Sequence, residues 1–236
     1  MNLPTKSDVL DQIYSIYDEF AGKLNAACKR YCAECCTRNV TLTTLEAYKI
    51  ADYLISNGKS DLFGVLEQAS DKKRFQPKTT TNRLAELCMR GEEPPDEEND
   101  ASWGACPFLT DKECPVYPVR PFGCRCFVSK QDCSKTGYAD TDPFVFAVNQ
   151  VFLQFIEHID AEGFSGNFTD MLLFMSSDEN RKSYKNGSSA HSDKKLIPNA
   201  PIKILMVFPE HKAKITPILH ALQSIKIPRE RSGVLK

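Results

Sequence analysis

Cys28-Lys-Arg-Tyr-Cys32-Ala-Glu-Cys35-Cys36 places four cysteines within nine residues. Thiolates at spacings of two or three residues can converge on one soft metal ion, because short loops bring their sulfurs close together. The two cysteine groups of this chain therefore predict irregular loops that are pinned by cysteine–metal bonds. The second group consists of Cys106, Cys114, Cys124, Cys126 and Cys133.

Length and charge set broad limits on the fold and on the partners. A chain of 236 residues is ample for a hydrophobic core. Its 30 Lys and Arg nearly balance its 31 Asp and Glu, so no overall field favours nucleic acid or an anionic lipid surface. Residues 194–236 hold nine Lys or Arg against two Asp or Glu. A solvated basic face is the favoured interpretation of that segment, and an interaction with a protein partner is the alternative.

No targeting or membrane signal is visible. The first eight residues lack an apolar stretch, and the apolar run Phe144–Phe155 is interrupted and too short to span a bilayer. We therefore expect a cytoplasmic protein. In a reducing compartment clustered cysteines are more often metal ligands than disulfides, although the even count of ten leaves disulfides formally open.

Apolar periodicity predicts a mainly helical fold. An amphipathic helix is expected through Leu10–Leu24, with Ser7 as its N-cap. Thr43 and Glu46 have capping-box spacing and open a second helix that stops at Asn57-Gly58. Lys203–Phe208 is the one convincing buried strand. Further helices are expected at Leu62–Ala69, at Asn82–Arg90, from Asp142-Pro143 onward, at Phe168–Met175 and at Thr216–Ser224.

These elements predict a mainly α fold, in which irregular cysteine-rich, metal-pinned loops pack on helices and a small α/β element follows at the C-terminus. We expect three parts. Residues 1–175 form a helical cysteine-cluster metal-binding domain. Residues 176–195, which are almost wholly polar, form a flexible linker. Residues 196–236 form a small strand–helix segment.

The cysteines alone leave the type and number of centres open. A structural zinc ion takes four thiolates at about 2.3 Å, and an iron–sulfur cluster also takes four. Nine clustered cysteines are enough for two such sites with one thiol left over. Cys35 and Cys36 cannot both point along one side of a helix, so they serve one centre through a local turn or reach towards two.

The spacing Cys28-x3-Cys32-x2-Cys35 is also similar to that of radical S-adenosylmethionine enzymes. Those enzymes carry the motif after the first strand of a long α/β barrel, usually with an aromatic residue before the third cysteine. Here a helix is expected to precede the motif, and Glu34 occupies the aromatic position. The pattern therefore disfavours this class of enzyme.

A closer resemblance rests on fixed offsets in both groups. Cys28-x3-Cys32-x2-Cys35-Cys36 is followed by Cys106-Pro-Phe-Leu109, and then by Cys114-x2-Tyr-x2-Arg-Pro-x2-Cys-Arg-x-Phe127. This arrangement resembles the bacterial cysteine-cluster family described as zinc- or iron-chelating, the YkgJ family. The first gap has three residues where the common form has two. The cysteines that match the family pattern are Cys28, Cys32, Cys35, Cys36, Cys106, Cys114 and Cys124.

The resemblance implies a metal centre with these seven cysteines as candidate ligands, to which we add the neighbouring Cys126. Flagellin lysine N-methylase carries a similar cysteine cluster associated with an iron–sulfur centre, which favours iron over zinc. Arg120 and Arg125 flank Cys124 and are candidates to hydrogen-bond thiolates or cluster sulfides. Trp103 and Phe108 are expected to shield the metal from water, together with Phe122 and Phe127. Cys88 is expected to be a buried free thiol on a helix.

We therefore expect a metal-binding protein that holds a cysteine-ligated iron–sulfur cluster, or alternatively zinc. A metal-dependent enzyme that modifies a protein or a small molecule is the alternative of a different class. No Ser/His/Asp order, phosphate-binding loop or carboxylate pair identifies catalytic residues. A site whose ligands are all cysteines would be structural or electron-transferring, whereas a missing ligand would admit substrate.

Overall fold

The computed structural model describes residues 1–187 and 194–226. The expected mainly α architecture is confirmed, with irregular cysteine-rich loops and a small sheet. Most predicted helices are found within a few residues of the expected bounds. The helices are α1 (Leu3–Ala21), α2 (Thr44–Ser56), α3 (Leu62–Gln68), α4 (Thr81–Arg90), α5 (Phe122–Arg125), α6 (Cys133–Thr136), α7 (Pro143–Ile159), α8 (Phe168–Ser176), α9 (Asp178–Lys185) and α10 (Lys212–Gln223).

A small antiparallel sheet fixes the starting points of two helices. Its order is β1–β2–β3, with Leu42 opposite Gly166 and Ser165 opposite Ile197. Helix α2 follows β1 directly and α8 follows β2, so pairing of the strands aligns the N-termini of both helices. The strands are β1 (Thr41–Thr43), β2 (Phe164–Asn167) and β3 (Ile197–Pro198).

Side-chain caps decide where the first helices begin. The predicted capping box is present: the Thr43 side chain accepts from the Glu46 amide, and the Glu46 carboxylate accepts from the Thr43 amide at 2.9 Å. The expected N-cap at Ser7 is wrong, because α1 already begins at Leu3. Asn2 caps it by accepting from the Thr5 amide at 3.0 Å, and a proline in the first turn favours the early start.

Two hydrophobic clusters divide the interior, and the cysteine loops lie where they meet. The first cluster joins α1, α7 and α10, and the Phe122 ring stacks on Phe152 in it at 5.6 Å. The second joins α2, α3 and α8 and includes Phe108. Phe122 and Phe108 both come from the second cysteine group, so that group is anchored in both clusters. Cys106, Cys114 and Cys124 pack against the second.

The predicted strand at Lys203–Phe208 is wrong, since these residues have no regular strand or helix. Gln154 on α7 supplies their hydrogen bonds instead. Its side chain accepts from the Met206 amide at 2.8 Å and donates to the Ile204 carbonyl at 2.8 Å. Because a side chain satisfies the backbone, the apolar run packs against α7 without a partner strand.

The stretch predicted as a flexible linker contains helix α9. Ser177 caps it, acidic residues stand in its first turn and lysines in its last, which suits the helix dipole. Arg181 also donates to the Met175 and Ser176 carbonyls at the end of α8, both at 2.7 Å. The linker prediction for residues 188–193 lies outside the described residues, and the division into three parts stays a prediction.

Candidate metal centre

Backbone hydrogen bonds bring the two cysteine groups together. Thr37 and Ala105 form an antiparallel bridge, and the Arg38 amide donates to the Gly104 carbonyl at 3.1 Å. The Cys106 amide donates to the Cys36 carbonyl at 2.8 Å. The end of the first group and the start of the second therefore lie side by side.

Cys106 and Cys114 are each followed by proline, and the turn at each of them brings backbone amides near the thiol. The Leu109 amide donates to the Cys106 carbonyl at 3.0 Å, and the Tyr117 amide donates to the Cys114 carbonyl at 3.1 Å. These turns place the Phe108 and Val116 amides where they lower the pKa of the Cys106 and Cys114 thiols. Proline after each cysteine presets the turn that points these amides backward. Burial raises the pKa of Cys106 to about 11, and the amides act in the opposite direction. Such amides stabilise a thiolate, which is the form that binds metal.

A two-residue turn between these cysteines reverses the chain. Thr110 and Glu113 exchange backbone hydrogen bonds of 3.1 and 2.8 Å. The residues between them, Asp111 and Lys112, have φ angles of 49° and 64°, the signature of a type I′ hairpin turn. The reversal returns the chain so that Cys114 lines the same cavity as Cys106. The preferred Asn-Gly signal for this turn is missing from the sequence.

Glu46 fixes the helix that carries Cys124. Its carboxylate is 3 % exposed and accepts from the Phe122 amide at 2.7 Å and from the Tyr14 hydroxyl at 2.7 Å. The same carboxylate caps α2 through Thr43. One buried acid thus holds the starts of α2 and α5 together. The sequence indicates only the capping role of Glu46, because Phe122, its partner in α5, lies far along the chain.

Gly123 allows α5 to approach β1 closely. A Cβ atom at this position would lie 2.8 Å from the Thr41 carbonyl oxygen and 3.1 Å from a Val40 methyl carbon. Contacts that short with backbone force a displacement, so only glycine fits without strain. The neighbouring Cys124 is therefore positioned by direct contact between the two backbones.

One cavity of about 260 Å³ collects the family-pattern cysteines. Cys126 does not line it; its thiol donates to the Gly123 carbonyl at 3.6 Å and packs against the first hydrophobic cluster. Cys88 is exposed on α4, which corrects the expectation of a buried thiol. All ten cysteines belong to the described residues and are free thiols. The cysteines lining the cavity are Cys28, Cys32, Cys35, Cys36, Cys106, Cys114 and Cys124.

The donor set fits a thiophilic metal, but the ligands are not preassembled. Among residues 1–187 and 194–226, no group of three or more His, Cys, Asp or Glu side chains is already arranged to hold a metal ion. Seven thiols nevertheless line one cavity, and zinc or an iron–sulfur cluster needs four. Binding must therefore draw side chains together, and the ligand assignment rests on donor chemistry and the shared cavity.

Burial makes charged thiolates unfavourable in this cavity without a cation. Burial raises the pKa of Cys124 well above its usual range, and neighbouring thiols raise it further. For Cys35, the hydrogen bond with Cys36 is the largest cause of a raised pKa, followed by burial. The same bond lowers the pKa of Cys36. Metal binding here must therefore displace protons, so affinity should increase with pH.

Arg120 is one of the cations that line the cavity, with Lys29 and Arg125. Its guanidinium lies over the Tyr117 ring, 4.0 Å from the centroid. Its Nε atom is buried and has no hydrogen-bond partner within the part of the chain that the structure describes. Burial raises the pKa of Cys114, and the Arg120 charge opposes that increase. An unpaired donor beside thiols fits a role towards a negatively charged centre.

Arg125 is engaged in holding the loop. Its guanidinium donates to the Asp18 carboxylate at 3.1 Å and to the Arg120 carbonyl at 3.0 Å. It also lies over the Tyr14 ring, 4.3 Å from the centroid. Although Arg125 lines the cavity, these contacts mainly connect the loop before α5 to α1.

The aromatic residues that were expected to shield the metal from water differ in how close they lie to the cavity. Phe108 is buried and packs edge-on against Phe168, a lining residue of the cavity, at 5.4 Å. Phe127 lines the cavity directly and is 52 % exposed. Trp103 is not among the lining residues and lies under the Lys73 ammonium, 4.5 Å away. Phe168 thus belongs to the apolar wall and is backed by Phe108, with Phe127 at the solvent side.

Residues 27–143 match the CxxCxxCC family model, described as a putative zinc- or iron-chelating domain. The matched segment contains every cysteine of the cavity. No curated protein and no solved structure matches the chain. Within the described residues, no helix has the length and apolar character needed to cross a membrane.

Proposed function

From the match of residues 27–143 to the CxxCxxCC model, described as a putative zinc- or iron-chelating domain, we propose a cysteine-ligated metal centre in the seven-thiol cavity. We propose an iron–sulfur cluster in preference to zinc. The convergence of seven cysteines from two distant groups on one cavity is the observation that carries the proposal. Such a centre would stabilise the loops and, as a cluster, supply electron transfer.

Three features support iron–sulfur over zinc. The cavity, at about 260 Å³, has room for more than a single ion. The backbone amides of Phe108, Leu109 and Val116 lower the pKa of the Cys106 and Cys114 thiols against the effect of burial, and hydrogen bonds to sulfur are one determinant of cluster potential. Arg120 places positive charge beside the site, which favours a centre with net negative charge.

Anaerobic purification followed by metal and sulfide analysis tests this proposal. We expect iron and acid-labile sulfide in similar amounts, with a broad visible absorption that air removes. Zinc without sulfide, in colourless protein prepared anaerobically, would replace the cluster by a structural zinc site. Protein that binds neither metal after anaerobic reconstitution would overturn the metal-binding function.

The alternative function is a metal-dependent enzyme that modifies a protein or a small molecule. The specific observation in its favour is the accessible wall of the cavity, because Cys28 and Cys35 are exposed. An enzyme needs an open coordination position. Addition of cyanide or a small thiol distinguishes the two functions: a changed spectrum indicates an open position, and an unchanged one indicates four protein ligands.

We propose the cytoplasm as the compartment, since clustered free thiols suit a reducing environment. A protein partner for the basic C-terminal segment is a further proposal. Two of its lysines already contact acids of the main body: Lys203 lies 3.2 Å from Glu86, and Lys195 lies 3.2 Å from Asp170. These pairs leave fewer charges for a partner than the sequence alone indicates.

A further inference from the structure

A second, smaller cavity of about 200 Å³ adjoins the first. Cys28 and Cys32 line both cavities, whereas Cys133 lines only the smaller one. Cys133 lies outside the seven positions of the family pattern. The turn from Cys28 to Cys32 therefore presents thiols to two spaces.

Backbone contacts hold Cys133 near this turn. The Ala27 amide donates to the Ser129 carbonyl at 2.8 Å, and the Ser129 amide donates to the Cys28 sulfur at 3.2 Å. Four residues later, Cys133 begins α6. Gln131, between them, lines the smaller cavity and has a buried side-chain nitrogen with no hydrogen-bond partner in the described residues. A buried unpaired donor points to a missing acceptor in this space.

The turn from Cys28 to Cys32 brings these two thiols to the same cavities. Tyr31 has a φ of 70°, a left-handed conformation that is uncommon for a residue other than glycine. The Cys32 amide donates to the Lys29 carbonyl at 3.1 Å, which closes the turn. The extra residue in the first cysteine gap is thus absorbed by a tight turn, with Cys28 and Cys32 lining the same cavities.

The linings of the two cavities divide the thiols into two sets. Cys133 lines only the smaller cavity, and Cys28 and Cys32 line both. Cys35 lines the larger cavity, and its Cys-x2-Cys spacing from Cys32 is typical of two ligands to one metal. The remaining thiols line only the larger cavity; they are Cys36, Cys106, Cys114 and Cys124.

We propose that this chain binds two metal centres, each held by four cysteines, with the vicinal pair divided between them. This inference rests on the proposed function and adds the number of centres and their ligands. The smaller cavity and the adjacent edge of the larger one hold the first set, and the larger cavity holds the second. The sets are Cys28, Cys32, Cys35 and Cys133, and Cys36, Cys106, Cys114 and Cys124.

Charge balance is consistent with two such sites. Four thiols that bind one divalent ion release four protons, forming four metal–sulfur bonds and a centre of net charge −2. Arg120 lies beside the larger cavity, and Lys29 and Lys112 line the smaller one. Glu34 and Asp132 also line the smaller cavity and oppose these lysines. The smaller site should therefore bind its ion more weakly than the larger one.

Cobalt(II) titration of the reduced, metal-free full-length chain under anaerobic conditions tests the inference. Cobalt reports both occupancy and thiolate ligation, through ligand-to-metal absorption. We expect two equivalents for the wild-type chain. Cys133→Ser and Cys106→Ser should each bind one equivalent, and the combination should bind none. The combination of Cys133→Ser with Cys32→Ser should still bind one, because both belong to the same set.

Cys88→Ser is the matched control and should retain two equivalents. A wild-type chain that binds one equivalent, or a Cys133→Ser chain that retains two, would overturn the two-centre inference and leave the proposed function standing. A wild-type chain that binds no cobalt would also overturn the two-centre inference, and the proposed function would fall with it if anaerobic reconstitution with iron and sulfide or with zinc fails as well. If Cys133→Ser lowers helicity, Cys133→His, which restores a metal-binding side chain, should recover the second equivalent; failure to do so counts against the assignment.

Discussion

The backbone amide of Cys106 donates a hydrogen bond of 2.8 Å to the carbonyl oxygen of Cys36. Through this bond the two cysteine groups are joined by protein contacts as well as by any metal. The adjoining bridge between Thr37 and Ala105 extends the connection. The metal therefore completes a site whose two halves already lie together.

Removal of metal should loosen the cysteine loops and leave the helical core. Structural zinc contributes on the order of 10 kcal/mol in isolated zinc-finger peptides, where nothing else supports the fold. Here α1, α7 and α10 pack without cysteine ligands. We expect a chelator to lower the melting temperature and to remove only part of the helical circular dichroism signal. An unchanged melting temperature in metal-free protein would contradict this prediction.

Cys124→Ser should sharply reduce metal content, whereas Cys88→Ser should leave it unchanged. Cys124 lies within the cavity on a helix held by Glu46, so serine there removes a positioned ligand. Cys88 is exposed on α4 and lines no part of the cavity. Metal analysis of both variants, purified side by side, checks the prediction. Loss of metal from Cys88→Ser alone would show that the ligand grouping is wrong.

Gly123→Ala and Gly64→Ala should change stability in opposite directions. The new Cβ at residue 123 would lie 2.8 Å from the Thr41 carbonyl oxygen, so we expect destabilisation by about 1–3 kcal/mol and reduced metal content. At residue 64, inside α3, the Cβ meets nothing within 4 Å. Alanine there should stabilise by about 0.5–1 kcal/mol through helix propensity. Urea unfolding measures both, and equal effects would contradict the close-approach argument.

Much of the helical framework could be predicted from sequence, because its signals are local. The capping box at Thr43 and Glu46 and the start of α7 after Asp142 depend on residues only a few positions apart. The strand predicted at Lys203–Phe208 failed because its hydrogen-bond partner, Gln154, is distant in sequence. Apolar composition predicts that a segment is buried, but it does not reveal which groups form hydrogen bonds with its backbone.

For the candidate site, too, the sequence indicates some features and leaves others to the structure. The seven cysteines that match the family pattern line one cavity, and their role as metal ligands stays a prediction. Whether Cys126 and Cys133 face that cavity depends on where α5 ends and α6 begins, which spacing does not specify. The bonds from Glu46 to Phe122 and from Cys106 to Cys36 are tertiary contacts without a local pattern. The sequence therefore indicates candidate donors, and the structure adds the contacts that position them.

Asp160→Asn should flatten the dependence of stability on pH between about 4 and 6. Burial raises the pKa of Asp160 to about 6, above the value near 3.9 of an unfolded chain. The folded state then holds the proton more tightly, so this group's stabilisation is complete below pH 4 and lost as pH rises through 6. Relative to the variant, wild-type stability should fall by roughly 2–3 kcal/mol over that interval. Parallel pH profiles from urea unfolding would contradict the prediction.

Arg120→Ala should lower the reduction potential of an iron–sulfur centre in the cavity. Removal of a positive charge next to the centre destabilises its more negative, reduced state. Arg83 on α4 is exposed and does not line the cavity, so Arg83→Ala should leave the potential unchanged. Redox titration followed by visible absorption compares the two variants. An equal potential in wild type and Arg120→Ala would show that Arg120 does not act on the centre.

The packing of α1 against α7 and α10 also has a consequence for biosynthesis. The cysteines up to Cys133 are synthesised before either of these later helices. At roughly 5–20 residues per second, translation from there to the end of α10 takes roughly 5–20 s. During that interval the thiols are present while the first hydrophobic cluster is still incomplete. The supply of metal during chain elongation should therefore influence how much of the newly made protein matures correctly.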